Sequence, residues 1–237
     1  MKPKVLCVAP AWNEGERIRR TVAAVPRDVV DTVVVVDDGS SDETPRFAEE
    51  AGAVVIRHQR NRGVGAAIRS GIDYGRANGF DIVVVISGGG KTPPHQIPQL
   101  LGPILRGEAE LVQGSRYTAG GETRHMPMRR VLGTRAYTQL FSLFVRRRVT
   151  DASSGFRAFR LSLFDDERID LWQPWLDRYE LEPYLLFQSL RLGHAVLEVP
   201  VAIEYPTDNL AYTKMRAITD WWRIFRPVVM LGLGIRK

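Results

Sequence analysis

An α/β fold, with a mostly parallel sheet flanked by helices in a single domain, is what this sequence predicts. Three observations carry the prediction. Short apolar runs alternate with helical periodicity through the first half, and repeated βα units of that kind require a parallel sheet. The run at 32–36 is β-branched and apolar on both faces, as a central parallel strand must be, and 83–86 is a second run of the buried-strand kind. No repeat, low-complexity tract or flexible linker divides residues 1–237.

Taken in order, residues 5–9 form a short apolar strand, and 14–24 a helix closed by Pro26. A strand at 32–36 follows. Ser40-Ser41-Asp42-Glu43 has the form of a capping box opening a helix that ends near Gly52. Strand 53–56, helix 65–77 and strand 81–86 complete the regular part. Helix 97–105 and strand 110–113 extend it. The second half is less regular: a long amphipathic helix at 129–145, a loop and short strand at 151–160, and a helix at 181–192 ended by Gly193. Short strands at 196–199 and 201–205 precede an amphipathic C-terminal helix at 213–224. Residues 1–115 make one functional half and 116–237 the other.

Composition narrows the function. The chain is 44% hydrophobic and 25% charged, ordinary for a folded domain. Its single cysteine, Cys7, excludes a disulfide framework, and its four histidines are scattered without metal-ligand spacing. A net charge of +6 favours anionic partners. The basic residues are dispersed and no nucleic-acid module is present, so nucleic acid is not among the expected partners. No run of roughly 18 apolar residues exists to span a membrane. The expected location is cytoplasmic, at a membrane surface.

Ligands of open parallel sheets bind beyond the carboxyl ends of the strands. Four polar clusters fall there: Pro10-Ala11-Trp12-Asn13-Glu14, Asp37-Asp38-Gly39-Ser40, Asn61-Arg62-Gly63, and Ser87-Gly88-Gly89-Gly90-Lys91. Together they argue for one nucleotide site. Gly90-Lys91-Thr92 imitates the end of a phosphate-binding loop, but the glycine that pattern needs five residues earlier is Val85. Gly63-Val64-Gly65 could begin a dinucleotide fingerprint, but its third glycine position is Ile68.

The order of the motifs is more telling. Pro10-x-Trp12-Asn13-Glu14, then Asp37-Asp38-Gly39-Ser40-Ser41-Asp42, then Asn61-Arg62-Gly63-Val64-Gly65-Ala66-Ala67, resembles the family 2 glycosyltransferases of the GT-A fold, in particular polyprenyl-phosphate sugar synthases. Gly114-Ser115-Arg116-Tyr117, the stretch from Asp151 to Arg157, Glu182, Glu198-Val199-Pro200 and Thr213-Lys214 extend the likeness. The resemblance implies a nucleoside-diphosphate sugar as donor. Pro10, Asn13, Glu14, Asp38, Gly39, Arg62 and Gly63 would bind it, with Asp38 on base or ribose and Asp37 bracing the loop.

The family also places aspartates that hold magnesium or manganese at the positions of Ser87 and Gly89. Here no carboxylate stands in that turn, so no metal cofactor is expected. Lys91, with the amides of Gly88, Gly89 and Gly90, is read as the substitute: a full charge plus an anion-binding nest on the departing diphosphate.

The acceptor expected first is a polyprenyl phosphate, gripped by Arg116, Arg129, Arg130 and Lys214, since guanidinium forks suit phosphate oxygens. The family's Arg-x-x-Gly-x-Ser-Lys element is imperfect here: residues 205–214 lack its arginine. A hydroxyl acceptor, small molecule or glycan, is the alternative. It would need a general base, with Asp151 favoured over Glu182. Arginines interleaved with apolar residues at 128–149, and Trp221-Trp222-Arg223, suit peripheral membrane contact. A non-catalytic nucleotide-sugar-binding protein is the remaining alternative.

Overall fold

The computed structural model describes residues 2–205 and 219–235. Strands β1 (Val5–Ala11), β2 (Thr32–Asp37), β3 (Val54–Arg57) and β4 (Ile82–Val85) are parallel and ordered β3-β2-β1-β4. Helices α1 (Glu16–Ala23), α2 (Thr44–Glu50) and α3 (Val64–Ala77) connect them. Because β1 has β2 on one side and β4 on the other, the winding reverses there, and a crevice opens at the strand ends. The sheet continues past β4 through β7 (Arg157–Arg160), β5 (Leu111–Ser115) and β8 (Val196–Pro200) to seven strands. Strand β7 alone runs against both its neighbours. This is the GT-A, Rossmann-like arrangement.

Alternation along β1 divides the core. Leu6 and Val8 face Ala67, Ile68 and Ile72 of α3, all fully buried. Val5, Cys7 and Ala9 face Ile18 and Val22 of α1 and Leu100 and Leu101 of α4 (Ile97–Leu105). Each Val, Leu or Ile side chain among these contributes roughly 1.5–3 kcal/mol by leaving water. Helix α3 lies so close to β1 that a Cβ at Gly71 would collide with the Val8 methyls. Burial pushes the Cys7 thiol up to about 12, which keeps it unreactive.

The second half adds α5 (Met128–Val145), α6 (Leu181–Leu192) and α7 (Thr219–Gly232). Tyr137 of α5 and Phe225 of α7 meet edge to face, ring centroids 5.0 Å apart. A separate two-stranded sheet pairs β6 (Glu122–Arg124) with β9 (Ala202–Glu204). Strand β6 was not expected, because Glu-Thr-Arg carries no apolar alternation. The capping box is also corrected. Ser40 caps nothing: its hydroxyl accepts the Asn13 amide at 2.8 Å, and the α2 start is held by Asp42 Oδ1 accepting the Thr44 amide at 3.0 Å. Helix α7 runs to Gly232, beyond the expected end at 224, while residues 213–218 lie outside the described residues.

Candidate active site

The carboxyl ends of β1, β2 and β4 open onto one cavity of about 660 Å³. Pro10, Trp12 and Glu14 reach it from the end of β1, Asp38 from β2, and Ser87, Gly89 and Lys91 from the turn after β4. Asn61 and Gly63 arrive from the loop after β3, and Arg116, Arg130 and Glu182 from the second half. Motifs spread over 170 residues of sequence therefore face one space.

On the donor side the acids hold the loops. Asp38 is buried; its Oδ1 lies 2.7 Å from His58 Nδ1 and accepts the Arg62 amide at 2.8 Å, and its Oδ2 accepts the Gly63 amide at 2.7 Å. Three of its bonds thus go to protein, where a nucleoside contact was expected. Asp37 accepts the Ser40 amide at 3.1 Å and lies 3.3 Å from Arg57 Nε. Asn13, at φ +51°, accepts the Ser41 amide at 2.8 Å and is not on the cavity wall. Gly39 is also off the wall, its α-carbon backed against Arg60. Arg62 serves this side through its amide only, and its side chain lies outside the cavity.

The turn after β4 is closed by its own bonds. The Ser87 amide donates to Thr92 Oγ1 at 2.8 Å, the Gly90 amide to the Ser87 carbonyl at 3.1 Å, and Thr21 Oγ1 to the Gly88 carbonyl at 3.2 Å. Gly88 packs behind on Pro10, and neither it nor Gly90 borders the cavity. The expected nest of three amides is therefore corrected, because the Gly90 amide is already committed. Ser87, Gly89 and Lys91 are the turn residues that face the cavity. Gly89 lies against Glu14: a Cβ there would lie 2.8 Å from Glu14 Oε2. Glu14 in turn pairs with Arg17 at 3.2 Å, and Arg17 lines the cavity too. Arg17 was missed; its signal was the three-residue spacing from Glu14 at a helix start.

The acceptor side is arranged differently. Asp151 is fully buried and clamps Arg116, with Oδ2 to Nε at 2.7 Å and Oδ1 to Nη2 at 2.8 Å. Its oxygens also accept the Arg116 amide and the Ser153 hydroxyl. Burial opposes the charge on Arg116, but the Asp151 hydrogen bonds and field more than offset it, holding the guanidinium above its ordinary range. Asp151 is off the cavity wall, so the expectation of a general base there is corrected. Arg116 reaches the wall with its charge neutralised, its Nη1 bonded to Tyr205 Oη at 2.9 Å.

Glu182 and Asp220 are the acidic side chains that this side presents, and Asp220 is buried and paired with Arg223 at 2.8 Å. Glu182 Oε1 sits beside Gly155, where a Cβ would come within 2.7 Å, and 3.8 Å from Arg157 Nη2. Arg157 is buried and donates to the Glu182 and Ser154 carbonyls at 2.7 and 2.6 Å. Desolvation pulls its pKa down, against the field of Glu182. Arg157 ended one of the stretches that carry the resemblance but was given no role, since nothing in the local pattern says that this arginine turns inward. Arg130 lies over the Tyr205 ring, 5.3 Å from its centre. Arg129 is exposed and off the wall, and Lys214 lies outside the described residues.

A model of Glycosyl transferase family 2 matches residues 7–168. The chain belongs to glycosyl transferase family 2. It is similar to the polyprenol monophosphomannose synthase of Mycolicibacterium smegmatis, at 30% identity over 90% of this chain and 81% of that one. The undecaprenyl-phosphate mannosyltransferase of Micrococcus luteus is 31% identical over 84% of this chain and 82% of its own. Among solved structures, glucosyl-3-phosphoglycerate synthase from Mycobacterium tuberculosis, in complex with Mn²⁺, UDP and phosphoglyceric acid, superposes with a TM-score of 0.73. That match covers 99% of this chain and 80% of that one at 23% identity, a likeness of fold. This family 2 member is a glycosyltransferase.

A divalent ion accompanies UDP in that neighbour, so its fit here is a direct question. The residues present do not fit it. Ser87, Gly89 and Lys91 offer no carboxylate, and Glu14, the acid beside the turn, pairs with Arg17. Among the described residues no group of three His, Cys, Asp or Glu side chains converges to hold a metal.

Proposed function

We propose that this family 2 glycosyltransferase moves a sugar, with inversion, from a nucleoside-diphosphate sugar to a polyprenyl phosphate, and holds the diphosphate without a divalent ion. One observation carries the reading: Lys91 lies on the cavity wall in the turn where a metal-binding acid would stand, beside Ser87 and Gly89 and in the same cavity as Arg17. An acceptor phosphate oxygen attacks the anomeric carbon opposite the diphosphate. The bond from that carbon to the diphosphate oxygen breaks, and its electron pair stays on the diphosphate. Lys91 offsets the developing charge in the cavity. A phosphate acceptor is already ionised and needs no base, which suits an acceptor side whose Asp151 is fully committed. The names of the mycobacterial and Micrococcus relatives support the polyprenyl acceptor.

Membrane contact belongs to the same proposal. Among the described residues no helix is long and apolar enough to cross a membrane. Met128, Leu132 and Trp222 are nevertheless 58–69% exposed on α5 and α7, near Arg129 and Arg135. Such a face suits an anionic bilayer surface. The test is transfer of labelled sugar into butanol-extractable lipid, with EDTA or with magnesium. Equal rates are expected; strict dependence on the ion would overturn the metal-free site. A hydroxyl acceptor is the second reading, favoured by the position of Glu182 on the cavity wall.

A further inference from the structure

A second basin, about 640 Å³ in volume, lies outside the donor cavity, between residues 60–62, the 174–180 segment and α7. Arg178 and Arg223 border both spaces. Arg60, Arg62 and Arg226 complete a ring of five guanidinium groups, faced by Asp177 and Glu180. The acids offset only part of it. Asp177 is paired with Arg69 of α3. Buried Glu180 makes long ion pairs of 3.9 Å with Arg223 and Arg226, and Arg223 also pairs with Asp220 at 2.8 Å. Arg60, Arg62 and Arg178 make no ion pair among the described residues.

The convergence is built from fixed parts. The Arg178 stem packs over Gly63, where a Cβ would come 2.6 Å from its Cγ. Arg226 lies over the Trp175 ring, 5.1 Å from its centre, with Nη2 donating to the Trp175 carbonyl at 3.3 Å. Its buried Nε has no hydrogen-bond partner. The backbone of Arg62 is pinned by Asp38. Five like charges, three of them without an ion pair, are unfavourable together until an anion joins them. Planar guanidinium forks suit phosphate oxygens above other anions.

We propose that this basin is a second anion site that takes a phosphate-class group, free in solution or on a lipid headgroup. Since Arg178 and Arg223 serve both walls, filling the basin draws on groups of the donor cavity. Linkage makes that effect mutual, at about fivefold in either affinity.

The test is calorimetric titration of inorganic pyrophosphate into the Lys91→Ala chain, which removes the charge of the turn. Binding is expected, and Arg60→Gln with Arg226→Gln in that background should weaken it at least tenfold. Neither arginine borders the donor cavity. If the Arg226 change lowers the melting temperature, Arg60→Gln alone, at an exposed position, should still weaken binding about threefold. Sedimentation with phosphatidylglycerol and with phosphatidylcholine vesicles separates the sources. Binding to the anionic vesicles alone, lost in the double variant without any pyrophosphate binding, assigns the anion to a headgroup. Pyrophosphate affinity unchanged by the substitutions, or no binding to either probe, overturns the proposal.

Discussion

The two sides of the cavity use a carboxylate in opposite ways. On the donor side Asp38 gathers the amides of Arg62 and Gly63 and the imidazole of His58, and so shapes a loop. On the acceptor side Asp151 neutralises a full charge, Arg116, in the protein interior. The first acid can lose its charge and leave behind a strained loop. The second cannot, because a buried guanidinium would remain without its counter-ion. The difference teaches that an acid in a motif marks a place in the site without marking its task.

The sharpest way to break this comparison is to remove each charge at constant shape. Asp151→Asn is expected to cost roughly 3–5 kcal/mol, since it strands a buried cation. Asp38→Asn should cost about 1–3 kcal/mol, the penalty of imperfectly satisfied amides. Urea unfolding of the two variants checks the order. If Asp151→Asn leaves stability intact and abolishes turnover alone, Asp151 returns to the chemistry and the contrast fails.

That contrast was only half legible in the sequence. The central strands could be read because β-branched runs such as 32–36 have one stable place, inside a parallel sheet. The location of the site followed, since Pro10, Glu14, Asp38, Gly63, Ser87, Gly89 and Lys91 all stand at strand ends. Partnership could not be read. The Arg116–Asp151 pair spans 35 residues, and the near contact of Glu14 with Gly89 spans 75, so no local pattern announces either. Strand β6 was missed for a related reason: it is ordered by pairing with β9 and not by its own composition.

A second test stays inside the donor side. Lys91→Ala removes the cation that the turn offers to the leaving diphosphate. A fall in kcat of about 10²–10³-fold is expected, the scale seen when a preorganised charge-stabilising donor is lost. The melting temperature should hold, since the turn keeps its Ser87–Thr92 and Ser87–Gly90 bonds. A kcat within threefold of the parent would remove Lys91 from the reaction.

The smallest effect is expected at Glu182, and it decides between the acceptors. Its carboxylate lies on the cavity wall with Gly155 beneath it and Arg157 at 3.8 Å. If a hydroxyl attacks, this group must take its proton, and Glu182→Gln would lower kcat about 10²–10⁴-fold. If an ionised phosphate attacks, there is no proton to take. The amide keeps the shape, and the Arg157 guanidinium stays anchored by the Glu182 and Ser154 carbonyls. Removing an acid near the entering anion should then change kcat only a few-fold and lower the acceptor KM through reduced repulsion. Steady-state kinetics with a short-chain polyprenyl phosphate separate the two: a collapse of kcat points to a hydroxyl acceptor, and a lower KM with kcat preserved points to the phosphate.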